Sequence, residues 1–441
     1  MPGQHLSRWT LAWFGSALLF LLASCGLVLL GAGGPQDWSR GAGLALVHLL
    51  TLGWLSQVML GALIQFVPVL AARPLALPGL ALPALIAMSL GTATLAAGFL
   101  YFDGHDAMRP LFLIAPVIIG LGFTFVALMI GATLLDKSCL HLPGVRFVIL
   151  AVIGLAGLWT SGAAMVLTLT GSAVLRDLTE ALPLHILLGI GGWLSVAAFG
   201  VSYKLFSMFL LTAETGGALR KASFVMAGAA VGVLLAGLVL TLAGSATGTV
   251  LAIGIALLAL TAPCYLAEIT RLWRSRRRPV PETNMLWSRA ALAALGLSAA
   301  LAVPGWFLGG TWAEAAIFVA LIGWLSVLTL AQMVKIVSFL TWIQIFAPLI
   351  GRRPVPMVDK LTDAHAVGTA LTLWVSGTVI GGLALLLTST AGFRVAAALL
   401  CLGAVGIIRE LISIRHLAHL TPSDRPAILP PLILPLPATS N

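Results

Sequence analysis

The residues in this 441-residue chain that have chemistry to offer are few, and two histidines lead them. Of eight His, only His48 and His185 fall well inside long apolar stretches. His5, His105, His141, His365, His416 and His419 lie in loops, at the mouth of a stretch, or toward the chain ends. An imidazole in hydrocarbon is costly unless it faces a bundle interior, where it either bonds a neighbouring carbonyl or serves as a ligand or proton carrier. Two imidazoles at matching depths favour ligation or proton handling. Neutral imidazole nitrogen binds haem iron and copper. Gly189 and Gly192 follow His185 at i+4 and i+7, a bare strip on the His face where a flat macrocycle has room to lie. Met59 shares the face of His48 and Thr51 and offers a soft thioether, although methionine in an apolar helix is usually packing.

Other polar residues carry weaker signals. Gln65, Lys204 and Lys335 read either as a polar path or, for the lysines, as side chains snorkelling to the headgroups. Asp103, His105 and Asp106 have ligand chemistry, but one short loop is thin evidence for a metal. Cys139 with His141 is thinner still. The four cysteines form no C-x-x-C pair, which implies neither a disulfide framework nor a thiolate metal site.

These residues sit in an overwhelmingly apolar chain. Hydrophobic residues make up 60% and charged residues 9%, with a mean hydropathy of +1.08. A soluble surface needs about 25% charged residues. The composition therefore excludes a soluble enzyme, a nucleic-acid-binding domain and a disordered chain. A helix crosses a bilayer in about 20 apolar residues. That length gives twelve spans, near 9–33, 41–71, 77–101, 108–135, 146–171, 182–212, 222–244, 247–272, 288–309, 313–346, 365–388 and 392–414. The segment Leu22-Ala23-Ser24-Cys25 has the form of a lipoprotein cleavage box, but the apolar run continues through Leu30. It therefore reads as part of span one, with Cys25 an ordinary buried thiol.

Basic residues set the orientation. With the N-terminus inside, eighteen Lys and Arg fall on the cytoplasmic side and four, Arg40, Arg109, Arg176 and Arg394, on the other. The net charge of +10 is then a topological signal, and both termini are expected in the cytoplasm of a bacterial-type inner (plasma) membrane. The cluster Arg274–Arg278 reads as a positive-inside anchor.

The tetrapeptide Gly-Trp-Leu-Ser occurs three times, at Gly53–Ser56, Gly192–Ser195 and Gly323–Ser326. Each copy lies on the second span of a group of four. A small residue follows each Trp at seven (Gly61, Gly200, Ala331) and a long polar one at eleven (Gln65, Lys204, Lys335). The chain thus reads as three parallel four-helix repeats, 9–135, 146–272 and 288–414. A tail at 1–8, a basic linker at 273–287 and a Pro-rich tail at 415–441 complete it. The tetrapeptide itself reads as packing material.

Twelve spans in three parallel units, with a histidine in the outer part of span two, resemble the catalytic subunit of haem–copper oxidases and nitric-oxide reductases. The stretches His48–Leu70, His185–Phe209 and Lys335–Trp342 are similar to a divergent oxidase-like group that includes NnrS-type haem and copper membrane proteins. The resemblance implies an oxidase subunit I-like fold, with His48 on a low-spin b-type haem and His185 on copper. It also implies a redox partner or quinol, and a role in electron transfer, nitric-oxide response or metal handling. The departures are as informative. Span seven lacks the family's His pair, span ten holds no His, and Ile186-Leu187-Leu188-Gly189 replaces the family's copper-site sequence. An oxygen-reducing binuclear centre cannot be assembled, so a terminal oxidase is excluded. The expectation is a haem-binding protein, with copper as a further candidate. The alternative is a cofactor-free transporter or channel using pores between the units, and a third class is a membrane subunit with a purely structural role.

Overall fold

Hydrocarbon offers no water to backbone amides, so a spanning chain must satisfy them internally. Among the described residues there are helices and no strands. The structure is a computed structural model and describes residues 7–35, 37–135, 139–140, 142–213, 217–352, 354–426 and 432–433. His5 and His141 lie outside the described residues, as do residues 1–6, 427–431 and 434–441.

Twelve helices are long and apolar enough to cross a membrane, each overlapping its expected stretch, and the protein is a multi-pass membrane protein. They are spans one (Trp9–Leu29), two (Gly41–Ala71), three (Pro78–Asp103), four (Asp106–Thr133), five (Gly144–Leu169) and six (Leu178–Leu210). Spans seven (Ala218–Leu242), eight (Gly248–Arg274), nine (Thr283–Leu308), ten (Gly310–Leu349), eleven (Ala364–Leu386) and twelve (Thr390–Arg415) follow. Spans two, six and ten form the centre. Their apolar stretches are 78%, 72% and 89% buried, against 22–50% for the other nine. In each group of four the first span packs on the second and the third on the fourth. Span four meets span five, span eight meets span nine, and span twelve returns to span one.

Each central span leaves the α register for a π-helical stretch, at Leu49–Ser56, Leu188–Ser195 and Val319–Ser326. Each stretch ends on the serine of the Gly-Trp-Leu-Ser tetrapeptide. All three tryptophans are fully buried. The Trp54 indole Nε1 donates to Ser326 Oγ at 3.1 Å, Trp193 to Ser56 at 3.0 Å, and Trp324 to Ser195 at 3.2 Å. Each indole thus reaches the serine of another tetrapeptide, and the three bonds close a ring. The reason is physical: an indole N–H in an apolar interior needs an acceptor. Ser326 in turn donates to the Leu321 carbonyl, five residues back, at 2.8 Å. Small residues bring the outer helices in. A Cβ on Gly61 would fall 2.5 Å from Trp13 Cβ, and one on Gly200 2.7 Å from Phe147 Cβ.

The four arginines at the end where spans two and six begin work as loop clamps. Arg394 donates to Val28 and Gly31, Arg109 to Thr170, and Arg176 to Gly244, all carbonyls at helix ends, while Arg40 pairs with Asp37. Cations at helix C-termini also suit the helix dipole. Cys25 and Cys401, scattered in sequence, meet between the first and last spans, their side chains in hydrogen-bond contact and Cys401 Sγ 3.9 Å from the Cys25 carbonyl.

The ring makes a stability prediction. Ser56→Ala, Ser195→Ala and Ser326→Ala each orphan one buried indole N–H, and interhelical bonds of this kind contribute about 0.6–1.7 kcal/mol. We expect similar losses of about 1 kcal/mol from all three, read by unfolding of the purified protein in detergent. A neutral result at one position would show that its bond is dispensable.

Candidate metal centre

His48 and His185 are each the eighth residue of their span, counted from Gly41 and Leu178. The chain fixes both helix starts. Asp103, at the end of span three, accepts from the Gly41 and Ala42 amides at 2.9 Å each. Only glycine fits at 41, because a Cβ there would sit 2.2 Å from the Phe99 carbonyl. Asp103 is therefore a cap for the helix that carries His48. At span six, Asp177 accepts from the Thr179 amide and hydroxyl at 2.7 Å each, and these bonds hold its carboxyl below the usual carboxylate range. Glu180 accepts from the Thr247 amide and hydroxyl at 2.8 Å each, tying span six to the loop before span eight.

So placed, the two histidines share one site. Their ring centroids are 6.4 Å apart and the planes are tilted by 33°. The oxidase resemblance assigns them to separate centres, a haem and a copper; the geometry joins them.

Both rings are held by Nδ1. His48 Nδ1 lies 2.8 Å from the Leu44 carbonyl, which can only accept, so Nδ1 carries the proton. His185 Nδ1 lies 3.0 Å from Ser161 Oγ, and that hydroxyl already donates to the Leu158 carbonyl at 2.8 Å. The serine must accept, and His185 Nδ1 is again the donor; the Leu158 carbonyl is also within reach of the ring. Each neutral imidazole then presents an Nε2 lone pair. Neither Nε2 has a hydrogen-bond partner among the described residues. A neutral Nε2 lone pair can accept a proton or bind a metal ion. Phe99 stacks 4.6 Å from the His48 ring, and a Cβ on Gly162 would fall 3.0 Å from His185 Cε1.

The other expected site residues lie elsewhere. The Gly189–Gly192 strip is covered by span five, with Leu158 Cδ1 3.3 Å from a Cβ on Gly189. A Cβ on Gly154 would fall 2.4 Å from the Gly192 carbonyl oxygen, so backbone packs on backbone there. These glycines serve helix contact and do not lie open as a bed for a macrocycle. Met59 is about 16 Å along the helix from His48. It lines an apolar cavity of about 50 Å³ between spans two, six and ten, with Ala198, Leu205, Met333 and Ile336. Thr10 is 3.4 Å from Gln65 Oε1, whereas Lys335 pairs with Glu282 at 2.6 Å. Lys204 is half-buried on span six.

The donor set fits a metal: two neutral imidazoles whose remaining nitrogens are anchored by hydrogen bonds, the arrangement that raises ligand basicity and fixes ring orientation. Imidazole nitrogen is a donor type that haem iron and copper take. No group of three or more His, Cys, Asp and Glu that could hold a metal occurs among the described residues. Ser161 is the residue sequence reasoning missed, since an orienting serine on span five has no local signature, whereas Asp103, noted there for its ligand chemistry, serves as a helix cap. No protein-family model matches the chain, and no curated protein matches it in sequence.

Nitrogen NMR of the histidines tests the arrangement. We expect both rings neutral and protonated on Nδ1 near neutral pH, with Ser161→Ala altering the His185 signals and leaving His48 unchanged. A proton on Nε2 of either ring would contradict the assignment.

Proposed function

We propose that the protein is an oxidase-like membrane protein that holds a metal cofactor, haem iron or copper, between His48 and His185 and lacks an oxygen-reducing centre. The carrying observation is the pair of imidazoles 6.4 Å apart, each tied by Nδ1 and each with a free Nε2 lone pair. In this reading the three groups of four spans are parallel repeats about an axis along the membrane normal. The cyclic Trp–Ser ring and the matching helix neighbours support that relation. The positive-inside asymmetry puts the pair toward the outer face of a bacterial-type plasma membrane.

The chain's own residues have defined parts. His48 and His185 bind through Nε2. The Leu44 carbonyl and the Ser161 hydroxyl orient the rings and keep the Nδ1 protons in place. Phe99 shields His48 on one side. A bound redox metal supplies one-electron exchange with a quinol or other partner, or is itself the cargo in metal handling. At the level of the ring, three fully buried indoles lie between spans two, six and ten, which weighs against an open channel there. Gln65 and Lys335 have separate partners.

Expression with ample haem and copper, followed by metal analysis and a reduced-minus-oxidised spectrum, tests the proposal. We expect about one metal centre per chain, lost in His48→Ala and in His185→Ala and kept in Lys204→Ala. A metal-free protein under those conditions would defeat the reading and favour transport.

A further inference from the structure

We infer that Cys25 and Cys401 form a redox clasp, a dithiol that a small uncharged peroxide closes to a disulfide between the first and last spans. The clasp shares no residue with the His48–His185 pair. Its place in the fold is the first argument. The three groups of four spans meet at three seams: span four on five, eight on nine, and twelve on one. The chain itself crosses the first two, through residues 134–143 and 275–282. No peptide crosses the third. Arg394 bridges that seam by donating to the Val28 and Gly31 carbonyls at 2.8 and 3.0 Å. Deeper along the same seam, Cys401 Sγ lies 3.9 Å from the Cys25 carbonyl and the two side chains touch. Cys139 and Cys264 have other neighbours, the Leu134 carbonyl and the Met226 sulfur.

Access is the second argument. Cys25 is four residues from the end of span one at Leu29, about 6 Å along the helix. Its side chain is half-buried, and Cys401 behind it is buried. Gly26, the next residue, borders open space: a Cβ there would meet nothing within 4 Å. Burying a charge costs far more than burying a neutral polar group, so a charged peptide disulfide is kept out where a small neutral peroxide can enter.

The chemistry closes without a further reagent. The Cys25 thiol gives up its proton and its sulfur attacks one peroxide oxygen. The O–O bond breaks, the departing hydroxide takes that proton and leaves as water, and Cys25 becomes a sulfenic acid. The Cys401 sulfur then attacks the Cys25 sulfur. The S–S bond forms, the S–O bond breaks, and the hydroxide leaves with the Cys401 proton as a second water. Two thiols lose two electrons and the peroxide gains them. An added dithiol reverses the step by exchange. The bond links residues 376 apart in the chain and turns an arc of three groups into a closed ring. Spans one and twelve can then no longer swing apart.

A specific protease site placed after Arg278 in the full-length protein tests the clasp. The later fragment carries Cys401 as its only cysteine, and the earlier one carries Cys25, Cys139 and Cys264. After treatment with hydrogen peroxide, we expect thiols titrated in denaturant to fall from four to two per chain. The cut protein should run as one band without reductant and as two with it. The link should be lost in Cys25→Ser and in Cys401→Ser, and kept in Cys139→Ser and Cys264→Ser. The unfolding midpoint in detergent should rise with the link and return on reduction, with no rise in the two variants that lack it. Two bands after peroxide, a link that survives Cys25→Ser, or a disulfide between two chains would overturn the inference. So would oxidation of Cys25 that stops at the sulfenic acid or runs on to the sulfinic acid.

Discussion

An indole N–H has no acceptor in a lipid interior unless another helix brings one, and this constraint organises the centre of the protein. Trp54, Trp193 and Trp324 each need a partner, and each finds it in the serine two residues beyond another tryptophan. The three bonds form together only where all three central spans meet at one level. Apolar burial cannot enforce such a level, because lipid tails are as apolar as the helices. The Trp–Ser bonds can. Their geometry depends in turn on the π-helical stretches, which widen the turn just before each serine.

The same stretches connect packing to chemistry. The first begins directly after His48 and the second three residues after His185. A change of register there rotates everything on one side of it relative to the other. The ring thus fixes the lower part of spans two and six, and the Asp103 cap and the Glu180–Thr247 bonds fix the upper part. The histidines are held between two anchored ends, which is how donors from separate helices keep a separation of 6.4 Å without a direct bond.

The bilayer explains why so much of this was legible in the sequence. It demands apolar stretches of a set length, so the twelve spans stand out, and a buried imidazole stands out against them. The triple tetrapeptide also pointed at the centre, though it read only as packing. What could not be read was anything that depends on distance across helices. Cys25 and Cys401 are 376 residues apart and carry no motif, yet they touch. The Gly189–Gly192 strip looked open because a sequence shows the face of one helix and not the helix lying against it. Met59 shares the His48 face, but the face is long, and the thioether ends in a different cavity. The 6.4 Å separation of the two histidines was hidden for the same reason: their proximity is set by tilt and register.

The three groups are alike in packing and unlike in chemistry, and that difference sets the character of the site. Six residues before its tryptophan, span two has His48; the same place on span ten is Phe318. Phe318 packs against Phe393 at 6.1 Å between ring centroids and over Gly381, where a Cβ would fall 2.6 Å from its ring. That position is filled by aromatic packing and offers no lone pair. A third imidazole there would have permitted the three-nitrogen arrangement that suits divalent ions with an open position. With a phenyl in its place, only two of the three central spans contribute donors, and both donors are neutral. At this level the three central spans thus present two neutral imidazoles on spans two and six and a packed phenyl on span ten.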